Sequence, residues 1–234
     1  MSLLTICQAV VQECGFPNLL QIVGNTDETA RRLLGFCNRS GKSLQKKVDW
    51  TQLRVEYTFS TANGTAAYAL PTDFDRFIPT TMWDRTNFWA LEGPLTPQEW
   101  QYVKSGLVQN GPRSRFRLLP SASVDQFNVD PVPGNIRTLV FEYISKNWCL
   151  SSGGTGQSSF AADTDTAVGI LDHLLALDVI WRFKESIGMA YAEQRDEFEN
   201  ELDMARGRDG GNRILRLNQR YPLLANIPET GFGQ

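Results

Sequence analysis

Histidine is almost missing from this chain: among 234 residues there is one, His173. The four cysteines, Cys7, Cys14, Cys37 and Cys149, include no CxxC pair. A Cys/His zinc site therefore lacks its ligands, and neither a metal nor any other cofactor is expected. Cys7 and Cys14 share one face of a helix, which suits small apolar packing in a reducing compartment better than a disulfide. No uninterrupted apolar run reaches about 18 residues, so no membrane span is expected. An excess of basic charge is lacking too. The 23 Lys and Arg stand against 26 Asp and Glu, a net charge of −3, which excludes a cationic coat for non-specific duplex binding but not a local patch. The opening MSLLTICQAVVQECG has no basic region before its apolar residues and no small-residue cleavage site. It reads as a mature cytoplasmic N-terminus.

Signatures of catalysis are scarce as well. His173 lies inside the apolar run LDHLLAL, where a packed or capped helix histidine is expected rather than a general base. No serine stands in a GxSxG elbow, and GGTGQSS lacks the GxxxxGK[ST] of a phosphate loop. Asp73 and Asp75 flank Phe74 without the spacing of a calcium loop, and an Asp75–Arg76 pair in a turn is the expectation. Glu193, Asp196, Glu197, Glu199, Glu201 and Asp203 are mixed with Arg195 and Arg206, as on a solvated or inter-subunit salt-bridge face. These residues point to a protein that is not an enzyme.

What is present is ordinary globular material, 41% hydrophobic and 21% charged, long enough to bury a core without staples. Helical spacing of Leu3, Leu4, Cys7, Val10, Val11 and Cys14 predicts a helix over 2–14, stopped by Gly15 and Pro17. Asn25 and Glu28 read as a capping box opening a second helix, with Ala30, Leu33, Leu34, Cys37, Gly41 and Leu44 in one stripe. Arg31, Arg32, Arg39 and Lys42 lie largely off it. From Leu53 the pattern alternates as a half-buried strand, and Asn63-Gly64 predicts a hairpin to AAYAL. Further strands are expected at 77–84, 115–120 and 137–148, with a short helix capped by Thr96 and Pro97 between them.

The Gly/Ser-rich stretch 151–159 reads as a flexible linker. After it a long helix is expected, apolar on most sides from Val168 and then amphipathic, with Ile187, Tyr191, Phe198 and Leu202 on one side. Gly188 is a point where it kinks or divides. The fold class implied by this pattern is α+β. Helices from 1–50 and 160–206 form one bundle, a β-rich insert (51–150, sandwich- or barrel-like, with one short helix) rises from it, and 207–234 is an extended C-terminal arm.

Two segments look made for partners. Around the loop of 83–102 stand Trp83, Phe88, Trp89, Trp100 and Tyr102, near Arg85, the residue types that dominate protein–protein hot spots. For Trp83 and Trp100 a core role is an equal alternative. In the arm Arg213, Arg216 and Arg220 are interleaved with Ile214, Leu215, Leu217, Tyr221, Leu223 and Leu224, too apolar for an idle tail. Either it folds onto a partner or it wraps its own bundle.

The order GNTDETARRLLGFCNRSGKSLQ, VDWTQLRVEYTFST, YALPTDFDRFIPTTMWDRTNFWALEGPLTPQEWQ, LVFEYISKNW and WRFKESIGMAYAEQRDEFENELDMARGRDGG resembles the adaptor, or head-to-tail connector, proteins of short-tailed and related bacteriophages. The resemblance spans nearly the whole chain, most specifically in LPTDFDR…WDRTN…LTPQEWQ and EYISKNW. It implies a virion protein of the neck or tail, made in the host cytoplasm. It further implies a ring of about twelve identical subunits docked under the portal protein. Such a ring would carry a tail nozzle, tail tube or tail-fibre protein and pass double-stranded DNA. Within it, the arm would contact the portal and the β insert the tail, through Trp83, Arg85, Phe88 and Trp89. A ring needs two complementary faces per subunit, and the opposite signs of Arg31, Arg32, Arg39 and of Glu193, Glu197, Glu201 suggest them. A gatekeeper or tail-completion protein, and more remotely a glycan-binding tail module using Trp83, Trp89 and Trp100, are the alternatives.

Overall fold

The computed structural model describes residues 1–105, 114–120, 125–169 and 171–209. In chain order the helices are α1 (Leu3–Glu13), α2 (Glu28–Lys47), α3 (Pro97–Ser105), α4 (Leu171–Ser186) and α5 (Ala192–Arg208). The strands are β1 (Arg54–Ser60), β2 (Ala67–Ala69), β3 (Phe74–Phe77), β4 (Trp83–Asp84), β5 (Trp89–Ala90), β6 (Arg115–Leu119), β7 (Gln126–Asp130), β8 (Thr138–Ser145), β9 (Cys149–Leu150), β10 (Gly156–Gln157) and β11 (Thr166–Ala167). The class is α+β, with antiparallel pairing throughout the named strands whose register is defined. Two units divide the chain: Met1–Arg54 with the described part of Ile144–Arg213, and Val55–Tyr143.

In the first unit Ser2 caps α1 by accepting the Thr5 N–H, and Leu3, Ile6, Cys7, Val10 and Val11 are buried. The cap of α2 is Asp27, not Asn25: Asp27 Oδ2 accepts the Ala30 N–H at 3.3 Å, while Asn25 Oδ1 accepts the Asp27 N–H at 2.9 Å. Asn25 thus forms the turn before the helix, two residues too early to cap it. The stripe Ala30, Leu33, Cys37, Gly41 and Leu44 is buried as expected, with Leu34 only partly so.

Helix α4 packs against α1, α2 and α5, which explains why it is apolar on most sides. Of its two buried charges, Asp178 is answered within the helix, accepting from Trp181 Nε1 at 2.9 Å and Arg182 Nε at 2.8 Å, and Lys184 pairs with Glu13 of α1 at 2.7 Å. The expected long helix is divided. Gly188 takes φ +76°, a left-handed conformation that suits glycine and ends α4. Of the residues expected on the apolar side of the second half, only Phe198 is fully buried, and Ala205 joins it.

The 151–159 stretch is not a flexible linker. It turns between β9 and β10, with Ser151 N–H on Thr155 O and Gly154 N–H on Ser151 O, both at 2.9 Å. With β11 these strands form a three-stranded sheet, so β structure continues to Ala167 and α4 starts only at Leu171. Trp148 anchors the segment, donating from Nε1 to Ser158 O at 2.9 Å and meeting Phe160 edge-on at 4.8 Å.

In the second unit β1 pairs with β8 and β2 with β7. The expected β1–β2 hairpin does not form, although Gly64 turns the chain at φ +76°. Phe59 and Tyr68, instead of sitting side by side on one sheet, bring their rings together at 5.1 Å from two different sheets. The stretch 77–84 is likewise two strands, because Pro79 offers no N–H and Thr80 bends to φ +67°. The core of the unit is aromatic: Phe116, Phe127 and Phe141 lie in it, with centroids of the first two 4.8 Å apart and of the last two 5.7 Å apart. Helix α3 starts as expected in a reciprocal capping box, Thr96 N–H to Glu99 Oε2 at 2.8 Å and Glu99 N–H to Thr96 Oγ1 at 3.3 Å. Hydrogen bonding from Thr96, first from its backbone N–H and then from its side chain, holds the Glu99 carboxyl below its ordinary pKa.

Candidate interaction surfaces

The DRTN sequence builds the β4–β5 turn from one carboxylate. Buried Asp84 accepts the N–H groups of Thr86 and Asn87 on Oδ1, at 2.9 and 3.0 Å, and Asn87 Nδ2 on Oδ2 at 2.9 Å. Thr86 Oγ1 takes the Thr138 N–H at 2.8 Å, tying the turn to β8. The turn so fixed exposes Phe88, at φ +60° and 65% accessible, and Trp89, 44% accessible. Holding a bulky aromatic at positive φ costs about 1 kcal/mol or more, and such strain clusters at functional positions. Trp83 is half-buried, and Arg85 pairs with Glu56 at 2.9 Å. Trp100 is a core residue, whereas Tyr102 is 79% accessible. Beside Trp89 a cleft of about 290 Å³ is lined by Asp84, Asn87, Leu91, Ser114 and Arg137. The Arg137 guanidinium is held there by Ser114 Oγ at 3.0 Å and Asn135 Oδ1 at 2.9 Å.

In the other unit the charged residues are spread over two helices. Arg31, Arg32 and Arg39 are exposed on α2, with Arg32 pairing to Glu28 at 2.5 Å. Glu193 and Glu197 are exposed on α5, and Glu201 is partly buried at the wall of a second cleft. That cleft, about 280 Å³, is lined by residues of both α4 and α5, among them His173, Leu174 and Ala205. His173 is therefore exposed and not packed, because it faces outward from the first turn of α4. The arm residues Arg213, Ile214, Leu215, Arg216, Leu217, Arg220, Tyr221, Leu223 and Leu224 lie outside the described residues.

The acids and thiols have structural partners. Arg76 pairs with Asp75 at 2.5 Å, as expected, and Asp73 accepts the Tyr143 hydroxyl at 2.8 Å. Burial and that bond push the Tyr143 pKa up. The Cys7 and Cys37 sulfurs are 3.7 Å apart in the core. The contact with Cys7, and then burial, pushes the Cys37 thiol well up. Burial, aided by Asp165, pushes Cys149 up to about 12. Thiols held in this way are poor nucleophiles near neutrality. Among the described residues no three His, Cys, Asp or Glu side chains gather as a metal site, and no helix is long and apolar enough to cross a membrane.

Two features escaped the sequence reading: the cleft between α4 and α5 and the guanidinium beside Trp89. Both join residues far apart in the chain. Only the Asp84 turn had a local signal, an Asp followed two and three residues on by Thr and Asn.

The family model of the SU10 adaptor protein matches residues 1–218, and the chain belongs to that family of phage head-to-tail adaptors. No curated protein matches it.

Proposed function

We propose that this chain is a ring-forming subunit that docks beneath the portal of a bacteriophage, joins it to the tail and contributes to the channel through which DNA leaves. The observation that carries the reading is the family match over residues 1–218. The contacts of α4 with α1, α2 and α5 support a helical bundle as the ring-forming part. The aromatic contacts between the five-stranded sheet and the β2-β7-β6 sheet support a sandwich as the inserted part. Each copy offers a neighbour two faces, arginines Arg31, Arg32 and Arg39 on one side and carboxylates Glu193, Glu197 and Glu201 on the other. A ring of about twelve copies closes through that heterologous contact. Trp83, Arg85, Phe88 and Trp89 face the next tail component, and the basic, leucine-rich arm reaches the portal. A net charge of −3 suits the wall of a DNA conduit, since it does not hold a polyanion.

The test is to mix the full chain with purified portal and image the product. A ring of this protein seated on the portal is the expected result. No complex at micromolar concentrations, or a complex only with tail proteins, would sink the portal-docking reading.

A further inference from the structure

Two sulfurs meet between α1 and α2, inside a single unit of the chain. Cys7 stands on the buried face of α1 with Leu3, Ile6, Val10 and Val11, and Cys37 in the buried stripe of α2 between Leu33 and Gly41. The helical period puts each cysteine on the face its helix turns to the core. Packing of α1 with α2 then brings the two Sγ atoms to 3.7 Å, with neither residue exposed at all. At that distance the sulfurs are in contact and no atom stands between them. Closing to a disulfide of about 2.05 Å asks for less than about 2 Å of movement. The other thiols are placed differently: Cys149 Sγ donates to Gln157 O at 3.2 Å, and among the described residues no sulfur touches that of Cys14 or Cys149.

We propose that Cys7 and Cys37 are a disulfide-forming pair, held as thiols in a reducing cytoplasm and closed into a bond between α1 and α2 once the protein meets an oxidising medium. The oxidant is a small-molecule disulfide. One protein thiol loses its proton and attacks a sulfur of that disulfide, releasing a small thiolate. The second protein thiol loses its proton and attacks the mixed disulfide at the protein sulfur, releasing the other. The pair gives up two electrons and two protons, and one small disulfide becomes two small thiols. Burial makes the step slow, because the reagent reaches the sulfurs only when α1 parts from α2, and a thiol as hard to ionise as Cys37 attacks slowly. The bond would close a loop of about thirty residues, which stabilises mainly by limiting the unfolded chain. Cytoplasmic glutathione keeps such pairs reduced, and the medium that receives a released virion does not. The adaptor reading enters only there, as the reason the chain passes from one medium to the other.

The experiment treats the reduced full chain, at low micromolar concentration, with millimolar oxidised glutathione at mildly alkaline pH. Alkylatable thiols, counted after denaturation, should fall from four to two at the mass of one chain. Digestion with trypsin and an enzyme that cuts after glutamate should join peptide 1–13 to peptide 33–39. The melting temperature should rise by about 5 °C or more and return on reduction. Four thiols left after a day, a stable glutathione adduct, a product of two chains, or pairing through Cys14 or Cys149 overturns the proposal. Cys14→Ala/Cys149→Ala should cross-link within two-fold of the parent yield, and loss of the cross-link there overturns it as well. Cys7→Ala and Cys37→Ala should gain no melting temperature from the oxidant; an equal gain in both removes the bond as its cause. Expressing cells denatured directly into N-ethylmaleimide should show Cys7 and Cys37 alkylated, and a cross-link already present there overturns the reduced starting state. Portal docking is read separately. A chain that docks without cross-linking removes the disulfide alone, and one that cross-links but never docks removes the adaptor reading alone.

Discussion

Gly41 and Gly35 sit two turns apart on α2 and should respond oppositely to the same change. A methyl group on Gly41 would enter the ring of Trp148, whereas around Gly35 there is nothing within 4 Å. Trp148 is held on the far side by Phe160 and by its bond to Ser158, so it has little room to yield. Gly41→Ala should therefore cost about 1–3 kcal/mol, the overpacking penalty outweighing the gain in helix propensity. Gly35→Ala should stabilise by about 0.5–1 kcal/mol. Thermal melts of the two variants check the signs. Asp84 offers another single-residue test. Its carboxylate satisfies three donors of the β4–β5 turn, so Asp84→Ala should cost about 1–3 kcal/mol and speed amide exchange at Thr86 and Asn87. Unaltered exchange there would show that the turn is held by something else.

At the scale of elements, the small sheet of β9, β10 and β11 makes a prediction about pH. Cys149, on β9, donates from sulfur to Gln157 O at 3.2 Å, and its pKa is raised from 9.0 to about 12. A thiol raised in the fold leaves stability untouched below the unfolded value. As pH climbs from about 9 toward 12 only the unfolded chain ionises, and that contribution is lost. Denaturant midpoints measured between pH 7.5 and 10.5 should fall above pH 9, less steeply in Cys149→Ala. An equal slope in the variant would count against burial of this thiol. The same elements show what could be read in advance. Thr96, Pro97 and Glu99 announce α3 because a capping box is local, and LVFEYIS announces β8 because its apolar run is long. The pairing of β1 with β8, roughly eighty residues apart, was hidden by a good turn signal at Asn63-Gly64, since a turn fixes direction but not partner. Strand β7 went unread because QFNVD is short and half polar. The stretch 151–159 misled because glycine and serine serve tight turns as readily as loose connections.

For the whole molecule, the proposed ring depends on contacts between copies. If the arginines of α2 meet the carboxylates of α5 across a subunit boundary, Arg31→Glu/Arg32→Glu should weaken ring formation at least ten-fold, measured by mass photometry. Raising salt from about 0.1 to 0.5 M should act in the same direction, because exposed pairs are screened. Rings that form equally well in both cases would move the interface elsewhere on the surface. Exposure of the aromatic segment was legible in part: Phe88 and Trp89 stand outward, but Trp100 does not, since an aromatic in a polar segment announces exposure only when no core lies beneath it. The arrangement of the first unit also bears on synthesis. Its α1 and α2 are made before the helix they pack on, α4, which comes more than a hundred residues later, and Leu3 N–H bonds to Asp165 O at 2.8 Å. On the ribosome the Val55–Tyr143 unit can finish folding while α1 and α2 still lack their neighbour. In the proposed ring, the faces that join one copy to the next would be complete only once α4 and α5 had been made, which would keep half-made copies out of the growing assembly.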